Sequence, residues 1–591
     1  MAGSSTASHT APNMALPESD DAHVGAHRPN TSSHARPTST SSSRAWKRGL
    51  SKLKCLKNNL EEKAPRPRST RSPPTPTRPE VPSSEQGQEN KDWTFSRLWN
   101  GIITFGKFIG PGFMVAVAYI DPGNYSTDIA AGASYRFRLL FIVLLSNLFA
   151  VFLQSLCIKL GSVTGLNLAE ACRAFLPRWL NYALYVMAEV AIIATDIAEV
   201  IGTAIALNLL SNGRLPLVAG CAISILDTLI ILLFYNPSGS MRGLRAFEFF
   251  VMGIVGAVVI CFCVQLSLIK NTSVGEVFRG YLPSSAITEQ QGLYQACGIL
   301  GATVMPHSLY LGSGICQSRL KEYDTKKGLV PPSRSPSSTS DVSEKSVYIP
   351  SLAAIRHCLK YSIGELTVSL CTFALFINSA ILIVAGASLY GNEQAQGEDI
   401  FAIHDLLAQS LGQGAGILFA LALLLSGISA GIVCTITGQM VSEGALNFKM
   451  RPWLRRFMTR SISITPSIII AGAVGRQGLD AALNASQVVL SVVLPFVSAP
   501  LIYFTCMNQY MKVQSGRARV TMVGEDEAEG EDGTESGGGN MSRLADGDAE
   551  VEVENVKMAN SMPVVIIAVV VWLIIAAMNV ANLVLLGLGR E

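Results

Sequence analysis

Long apolar runs alternate with short polar stretches along the chain from residue 103 onward. Each run is roughly 20 residues long, the length of helix that crosses a hydrocarbon core about 30 Å thick. The pattern therefore predicts an all-α polytopic membrane protein with about 11 transmembrane helices. The predicted spans are residues 103–132, 139–163, 178–210, 215–235, 245–269, 292–315, 361–388, 413–440, 456–474, 481–507 and 562–587.

Three polar segments interrupt or flank these runs. Residues 1–92 are rich in Ser, Pro and Arg and are predicted to form a disordered cytoplasmic tail, because they contain too little apolar surface to build a core. Residues 320–350 are predicted to form a cytoplasmic loop, and residues 508–560 an acidic disordered loop. The rest of the chain is predicted to form a ten-helix transporter core over residues 93–507 and an eleventh transmembrane helix within residues 561–591.

Composition and charge narrow the class of protein. The chain of 591 residues is 49% hydrophobic and 15% charged, and its formal net charge is +3. A nucleic-acid partner is not expected, because it would require a strongly basic surface. Lys and Arg are concentrated in every second loop, on the same side as the segment before the first run. Loops rich in Lys and Arg lie on the cytoplasmic side of a membrane, so the N-terminus is predicted to be cytoplasmic. No cleavable signal peptide is expected, because the first 90 residues contain no apolar h-region.

The first apolar run is interrupted at membrane depth by Asp121-Pro122-Gly123-Asn124. Proline removes a backbone donor and glycine weakens a helix, so the freed carbonyl groups must face a cavity or a bound ion. An acid inside a membrane span indicates a functional site by default. The alternative is a structural kink in which Asp121 pairs with a basic residue.

The sixth run repeats this interruption with Gly301, Pro306 and His307, the last being the one histidine of seven that lies within a span. Broken helices at matching positions in two five-helix halves are typical of inverted-repeat transporters, whose site lies between the breaks. We therefore predict a 5+5 inverted repeat with broken helices one and six. Repeat one covers 100–270 and repeat two 290–507.

The residues at these breaks are suited to a metal ion. Asp121 and Asn124 offer hard oxygens, the carbonyl of Ala302 offers another, and Met305 offers a soft thioether next to Pro306. A mixed oxygen and sulfur site favours borderline transition metals over Mg²⁺ and Ca²⁺. A methionine in a span is more often a packing residue, and that alternative stays open for Met305.

Three acids in the third run share one helix face. Glu189, Asp196 and Glu199 are spaced by seven and three residues, and a stack of acids facing lipid would be intolerable. They are therefore predicted to line a polar path, as a proton relay requires.

The paired motifs Asp121-Pro122-Gly123-Asn124 and Met305-Pro306-His307 resemble those of the natural resistance-associated macrophage protein (Nramp) family of proton-coupled divalent metal transporters. The resemblance extends over about residues 100 to 507. Ser308 and the long N-terminal tail make the chain most similar to the fungal branch of that family. Further matching segments are Ala194-Thr195-Asp196-Ile197-Ala198-Glu199 and Thr437-Gly438-Gln439.

The resemblance implies a fold of the LeuT type, transport by alternating access, and a set of functional residues. The implied metal ligands are Asp121, Asn124, Met305, the Ala302 carbonyl and Gln487, with Asn378 as a nearby polar residue. The implied proton pathway consists of Asp121, His307, Glu189, Asp196 and Glu199, with Arg460 as a basic partner. A purely structural ion-pair network with Arg460 is the alternative for the acids.

One position departs from the family pattern. Many members have a second histidine five residues after the equivalent of His307, whereas this chain has Gly312. This departure concerns the proton pathway and leaves the implied metal ligands unchanged.

The predicted function is proton-coupled transport of divalent transition-metal ions such as Mn²⁺ and Fe²⁺. The chain has neither a nucleotide-binding motif nor a catalytic triad, so it is predicted to be a secondary transporter without a cofactor, not an enzyme. The alternatives are an amino-acid or organic-solute symporter on the same fold and a non-transporting nutrient receptor. The sequence is compatible with the plasma membrane and with a vesicular or vacuolar membrane. Regulatory proteins that bind the cytoplasmic tails are a further class of partner compatible with the sequence.

Overall fold

The computed structural model describes residues 111–234, 241–269, 272–330, 346–391, 400–447, 452–514, 516, 518–522 and 555–588. The predicted N-terminal tail lies outside the described residues. So do the start of the first span, residues 331–345 of the predicted cytoplasmic loop, and residues 523–554 of the acidic segment.

Helices account for nearly all of the described chain. In chain order they are α1 Pro111–Val117, α2 Pro122–Tyr135, α3 Leu140–Thr164, α4 Leu168–Phe175, α5 Arg178–Leu210, α6 Leu217–Phe234, α7 Met241–Leu268, α8 Val274–Arg279, α9 Gln290–Thr303, α10 Pro306–Ile315, α11 Gln317–Lys326, α12 Leu352–Ser369, α13 Leu375–Ser388, α14 Ile400–Leu411, α15 Gln413–Leu446, α16 Pro452–Ala473, α17 Arg476–Cys506 and α18 Met562–Gly587. A short 3₁₀ turn, Ser285–Thr288, precedes α9.

Among the described residues, seven helical stretches are long and apolar enough to cross a membrane. They are α3, α5, the part of α7 from Glu248, the continuous α12–α13 rod, α15, α17 and α18. Shorter apolar stretches occur in α6 and α16. The long helix α5 lies at the centre, where it packs against α15, α17, α16 and α6.

The two interruptions predicted in spans one and six are present. Helix α1 ends at Val117 and α2 begins at Pro122, while α9 ends at Thr303 and α10 begins at Pro306. Each proline occupies the first position of the second half-helix, where its missing N–H costs least. The same missing N–H deprives the carbonyl four residues earlier, Ala118 or Ala302, of its helical donor. The two breaks thus release backbone acceptors inside the bundle.

The seventh span differs from its prediction at its start. It begins at Leu352 instead of residue 361, because Ser351 caps the helix by accepting a hydrogen bond from the Ala354 N–H. A π-helical turn, Leu370–Ala374, separates α12 from α13. Such turns are frequent at functional sites, and this one lies one helical turn before Asn378.

The predicted loops were wrong at their edges. Strand β1 (Ser346–Ile349) and all but the first three residues of helix α11 lie within 320–350, and strands β2 (Lys512–Gln514), β3 (Arg519–Met522) and β4 (Asn555–Lys557) lie within 508–560. Strand β1 pairs antiparallel with β3, and β2 pairs antiparallel with β4. These strands are three or four residues long, so the polar composition of the whole segment concealed them.

A buried carboxylate holds the segment that precedes α12 in place. Asp324 of α11 is fully buried, and its Oδ2 accepts hydrogen bonds from the Tyr348 hydroxyl (2.6 Å) and the Ser351 N–H (2.9 Å). Its Oδ1 accepts a third bond from the Ser351 hydroxyl. Asp324 therefore ties α11 to β1 and to the first turn of α12.

We predict that Asp324→Ala lowers the free energy of unfolding by about 3 kcal/mol, because charge-assisted hydrogen bonds are lost and buried donors remain unpaired. Thermal unfolding of the detergent-purified protein measures the effect. Asp405→Ala is the matched control, since Asp405 is exposed. Equal unfolding temperatures for the two variants would contradict the structural role of Asp324.

Candidate metal site at the two helix breaks

Asp121 lies at the first helix break and caps α2. Its backbone is extended, and its Oδ1 accepts a hydrogen bond from the Asn124 N–H at 2.9 Å. The carboxylate is fully buried, and its Oδ2 has no hydrogen-bond partner among the described residues. The dipole of α2 stabilises a negative charge at this helix start. One carboxylate oxygen is therefore held by the helix and the other is available to a ligand.

The unwound carbonyl groups between α1 and α2 are satisfied by side chains. The Tyr119 carbonyl accepts bonds from Asn124 Nδ2 (2.7 Å) and Asn378 Nδ2 (3.3 Å), and the Ile120 carbonyl accepts a bond from the Ser426 hydroxyl (2.8 Å). Because both amides turn their NH₂ groups to the backbone, their oxygens point elsewhere. Asn378 Oδ1 is buried and has no partner among the described residues.

Gln487 of α17 lies against the start of α2. A Cβ atom added to Gly123 would come within 1.9 Å of Gln487 Nε2, so only glycine permits this approach. Gln487 is fully buried, its Nε2 donates to the Ser486 hydroxyl at 3.0 Å, and its Oε1 has no partner in the described chain. Gln487 thus adds a third buried oxygen without a donor.

The second break is connected to the first through a polar network. Tyr119 Oη and Ser308 Oγ are 3.0 Å apart, and Gln154 Nε2 donates to both at 2.9 Å. The Ser308 hydroxyl donates to the Met305 carbonyl at 2.7 Å. Met305 is buried, with 1% of its surface exposed. The network thereby fixes the turn that carries Met305 beside the turn that carries Asp121.

This arrangement suits a cation. Buried oxygens normally have donors, so Asp121 Oδ2, Asn378 Oδ1 and Gln487 Oε1 lack positive partners. Asp121 forms no ion pair with any described residue, which removes support for the structural-kink alternative. An organic carboxylate would require free donors at this place, and these side chains present acceptors.

A second charged cluster lies on α5. Arg460 Nη1 of α16 donates to Asp196 Oδ1 at 2.8 Å and to Glu199 Oε2 at 3.2 Å. The Ser463 hydroxyl donates to Asp196 Oδ2 at 3.1 Å. Cys434 Sγ lies within 4.8 Å of the ligand oxygens of both acids, and the whole group is buried. The predicted shared face of Asp196 and Glu199 thus meets a basic side chain.

His307 and Glu189 are placed differently relative to this cluster. His307 is 1% exposed, and its Nδ1 lies 3.3 Å from the Thr195 hydroxyl, which neighbours Asp196 in α5. Glu189 lies seven residues before Asp196, is half-buried, and acts electrostatically on Tyr310. His307 therefore connects the second break to the acidic face of α5, and Glu189 lies about 10 Å along that helix from Asp196.

Comparison with known proteins identifies the family. The family model described as natural resistance-associated macrophage protein-like (Nramp) matches residues 112–524. The chain belongs to the Nramp family. It is 50% identical over 527 residues to the manganese transporter SMF1 of Saccharomyces cerevisiae, a match that covers 86% of this chain and 91% of the relative. It is 46% identical over 480 residues to the iron transporter SMF3 of the same yeast, covering 80% and 95%.

The crystal structure of the Eremococcus coleocola manganese transporter superimposes on this Nramp chain with a TM-score of 0.62 and 28% sequence identity, covering 85% of this chain and 88% of that one. The predicted fold class is therefore confirmed: a helical, multi-pass membrane transporter of the LeuT type, with broken first and sixth spans. The predicted membership of the Nramp family is confirmed as well.

The structure explains the departure at Gly312. A Cβ atom at this position would lie 1.9 Å from Gln154 Oε1 and 3.4 Å from Cys157 Cβ. Gln154 Oε1 is buried without a partner among the described residues. The amide of Gln154 thus occupies the space that a side chain at position 312 would need.

Two buried polar residues escaped the sequence analysis. Asp128 of α2 and Asn147 of α3 are each 1% exposed and have side-chain atoms without partners in the described chain. A signal for Asp128 existed, because it follows Asp121 by seven residues and so lies on the same helix face. Asn147 gave no comparable signal, since single asparagines are common in apolar helices.

We predict that Gly123→Ala lowers the free energy of unfolding by about 1–3 kcal/mol, because the added methyl group overpacks the site against Gln487. In a Gln487→Ala background the same substitution should cost close to nothing, since the obstructing amide is gone. Thermal unfolding of the four proteins of this cycle gives the coupling energy. Gly253→Ala is the control, because no described atom outside its own helix backbone lies within 4 Å of its added Cβ. A zero coupling energy would show that Gly123 and Gln487 do not touch.

Proposed function

We propose that this Nramp protein transports divalent transition-metal ions, Mn²⁺ and Fe²⁺ among them, together with protons by alternating access. The observation that carries the proposal is the buried Asp121 carboxylate, which has an oxygen without a partner at one helix break while Met305 lies at the other. Two similar proteins are named as manganese and iron transporters, which supports the same substrate class for this chain.

The proposed metal ligands are Asp121, Asn124, the Ala302 carbonyl, Met305 and Gln487. Asp121 supplies the negative charge that offsets the cost of desolvating a divalent ion, and the amide and carbonyl oxygens complete its coordination. The thioether of Met305 favours borderline metals over Ca²⁺ and Mg²⁺. Asn378 supports the site by holding the Tyr119 carbonyl.

The proposed proton pathway runs from Asp121 through His307 to the acidic face of α5. The His307 contact to Thr195 leads to Asp196 and Glu199, which share the single guanidinium of Arg460. Buried carboxylates inside a membrane bundle are candidate proton carriers, and these two lie close to the residue that His307 contacts. Glu189 continues this face along α5.

Uptake by proteoliposomes containing the full chain tests the proposal. With Mn²⁺, Fe²⁺, Co²⁺, Cd²⁺, Ca²⁺ and Mg²⁺ supplied outside at two pH values, we expect flux of the transition metals only. That flux should be faster at the lower external pH. Absence of metal flux from vesicles that contain correctly folded protein would contradict transport and favour a nutrient receptor.

We predict that Met305→Ala reduces selectivity more than activity. Transport of Mn²⁺ should partly survive, while competition by Ca²⁺ should increase about tenfold, equivalent to about 1.4 kcal/mol of lost discrimination. Inhibition of Mn²⁺ uptake by Ca²⁺ measures this. Met114→Ala is the control, because Met114 is a buried packing residue of α1. Unchanged discrimination in Met305→Ala would show that Met305 is a packing residue.

We predict that Asp196→Asn separates metal from proton movement. Metal-driven acidification of the vesicle lumen should disappear while downhill Mn²⁺ flux remains measurable, because the metal ligands are untouched. Vesicles loaded with a pH dye and a metal dye report both fluxes at once, and the exposed Asp405→Asn is the matched control. A parent protein that moves metal without any proton signal would instead be a metal uniporter, and Gly312 would be the first position to examine.

A further inference from the structure

An apolar cavity lies among α4, α5, α17 and α18, outside the proposed metal site. Its volume is about 780 Å³, within the range of about 300–1,000 Å³ that is typical of sites for one small molecule. Phe496 and Val580 line it and are 54% and 60% exposed, so the cavity opens on the outer surface of the bundle, which faces lipid in a membrane. None of the described lining residues is a proposed metal ligand. The cavity is therefore accessible to a lipid-soluble ligand and separate from the metal ligands.

The cavity extends through about one leaflet of the membrane. On α17 its lining runs from Val492 to Tyr503, a length of about 16 Å along a helix. The hydrocarbon core of a bilayer is about 30 Å thick, so the cavity covers about half of it. Tyr503 lies close to the end of α17 at Cys506, and Leu180, which also lines the cavity, lies close to the start of α5 at Arg178. One end of the cavity is thus level with the membrane surface.

Aromatic rings close the cavity at this end. The ring centroid of Phe175 lies 5.6 Å from that of Phe504 and 4.8 Å from that of Tyr510. The Tyr510 ring lies 5.7 Å from the Tyr503 ring. The hydroxyl oxygens of Tyr503 and Tyr510 are 3.5 Å apart, longer than the usual O–H···O distance of about 2.7–2.8 Å. The two hydroxyls bind each other weakly and are close enough to bind one further hydroxyl together.

The other polar side chains of the cavity wall are already bound within the protein. Asn579 Oδ1 accepts a hydrogen bond from the Ser491 hydroxyl at 2.6 Å, and its Nδ2 donates to the Ile575 carbonyl at 2.9 Å. The indole N–H of Trp572 donates to the Pro495 carbonyl at 2.9 Å. Charged side chains do not occur among the described lining residues. The cavity therefore offers a ligand an uncharged apolar wall with a pair of hydroxyls at one end.

Two prolines shape the wall that α17 contributes. Pro495 and Pro500 lie inside this helix, and both line the cavity. A proline inside a helix lacks the N–H of the helical hydrogen bond and bends the helix. The shape of the wall is thus fixed by the backbone, which favours a rigid ligand that loses little conformational freedom on binding.

We propose that this cavity binds a sterol from the adjacent leaflet, with the sterol hydroxyl bound by the hydroxyls of Tyr503 and Tyr510. A sterol is a neutral, rigid and apolar molecule with one hydroxyl at its end, so it matches the cavity in charge, polarity and length. A phospholipid fits less well, because recognition of its phosphate requires Lys or Arg, and neither lines the cavity. The inference concerns a site apart from the metal ligands and does not depend on the proposed transport function.

Equilibrium binding of tritiated cholesterol to the full chain in detergent micelles tests the proposal, with empty micelles subtracted. We expect saturable binding to the parent protein. Ala576→Phe places a ring inside the cavity and should weaken binding at least tenfold, because Ala576 lines it. Ala577→Phe is the matched control and should bind like the parent, since Ala577 is exposed on α18 and does not line the cavity. Tyr503→Phe combined with Tyr510→Phe keeps both rings, removes both hydroxyls and should weaken binding about tenfold.

Competition identifies the class of ligand. Unlabelled cholesterol should displace the bound label, whereas cholestane, which lacks the hydroxyl, and phosphatidylserine should not do so at the same concentration. Thermal unfolding shows whether each variant is folded, and the tyrosine variant decides the test where Ala576→Phe fails to fold.

Three results would overturn the proposal. The first is absence of saturable binding to the parent. The second is parent-like binding to folded Ala576→Phe or to the tyrosine variant. The third is displacement by cholestane or phosphatidylserine as effective as that by cholesterol, which would assign the cavity to bulk lipid.

Discussion

The structure depends on one constraint, a carboxylate buried in a helical membrane bundle without a cationic partner in the described chain. Asp121 is tolerated because α2 begins at Pro122, which places the carboxylate on a helix N-terminus and lets the Asn124 N–H bind one of its oxygens. The second oxygen remains without a partner. In the proposed function, a bound metal ion compensates that charge.

The neighbouring side chains serve the same constraint. Asn124, Asn378 and Ser426 donate to the carbonyl groups that the break releases, which keeps the unwound turn in place and directs amide oxygens away from it. The network of Tyr119, Ser308 and Gln154 then joins the first break to the second. Because these bonds link the unwound turn between α1 and α2 to α3 and α10, a movement of either broken helix must rearrange the network.

The second charged cluster is coupled to the first through α5. His307 follows the second break by two residues and contacts Thr195, beside Asp196. Arg460 binds Asp196 and Glu199 together, so a proton arriving at either acid would weaken its hold on α16. In the proposed function, this chain of contacts connects the metal site to the packing of α16 against α5.

Local rules were sufficient to predict the two helix breaks and the shared face of Asp196 and Glu199, because proline chemistry and helical periodicity act within a few residues. Contacts between distant segments were not predictable in the same way. The approach of Gln487 to Gly123 and the position of the Gln154 amide beside Gly312 depend on how helices pack. The short strands β1 to β4 were missed because their few residues are embedded in polar segments.

The central claim is that the residues implied by the Nramp resemblance as metal ligands bind the transported ion. Anomalous diffraction from crystals of the full chain grown with Mn²⁺ tests this claim most directly. The account predicts an anomalous peak between the two helix breaks, within coordination distance of Asp121 Oδ2 and the Met305 sulfur. A protein that binds Mn²⁺ in solution yet shows its peak elsewhere, or shows Asp121 paired with a basic side chain, would contradict it.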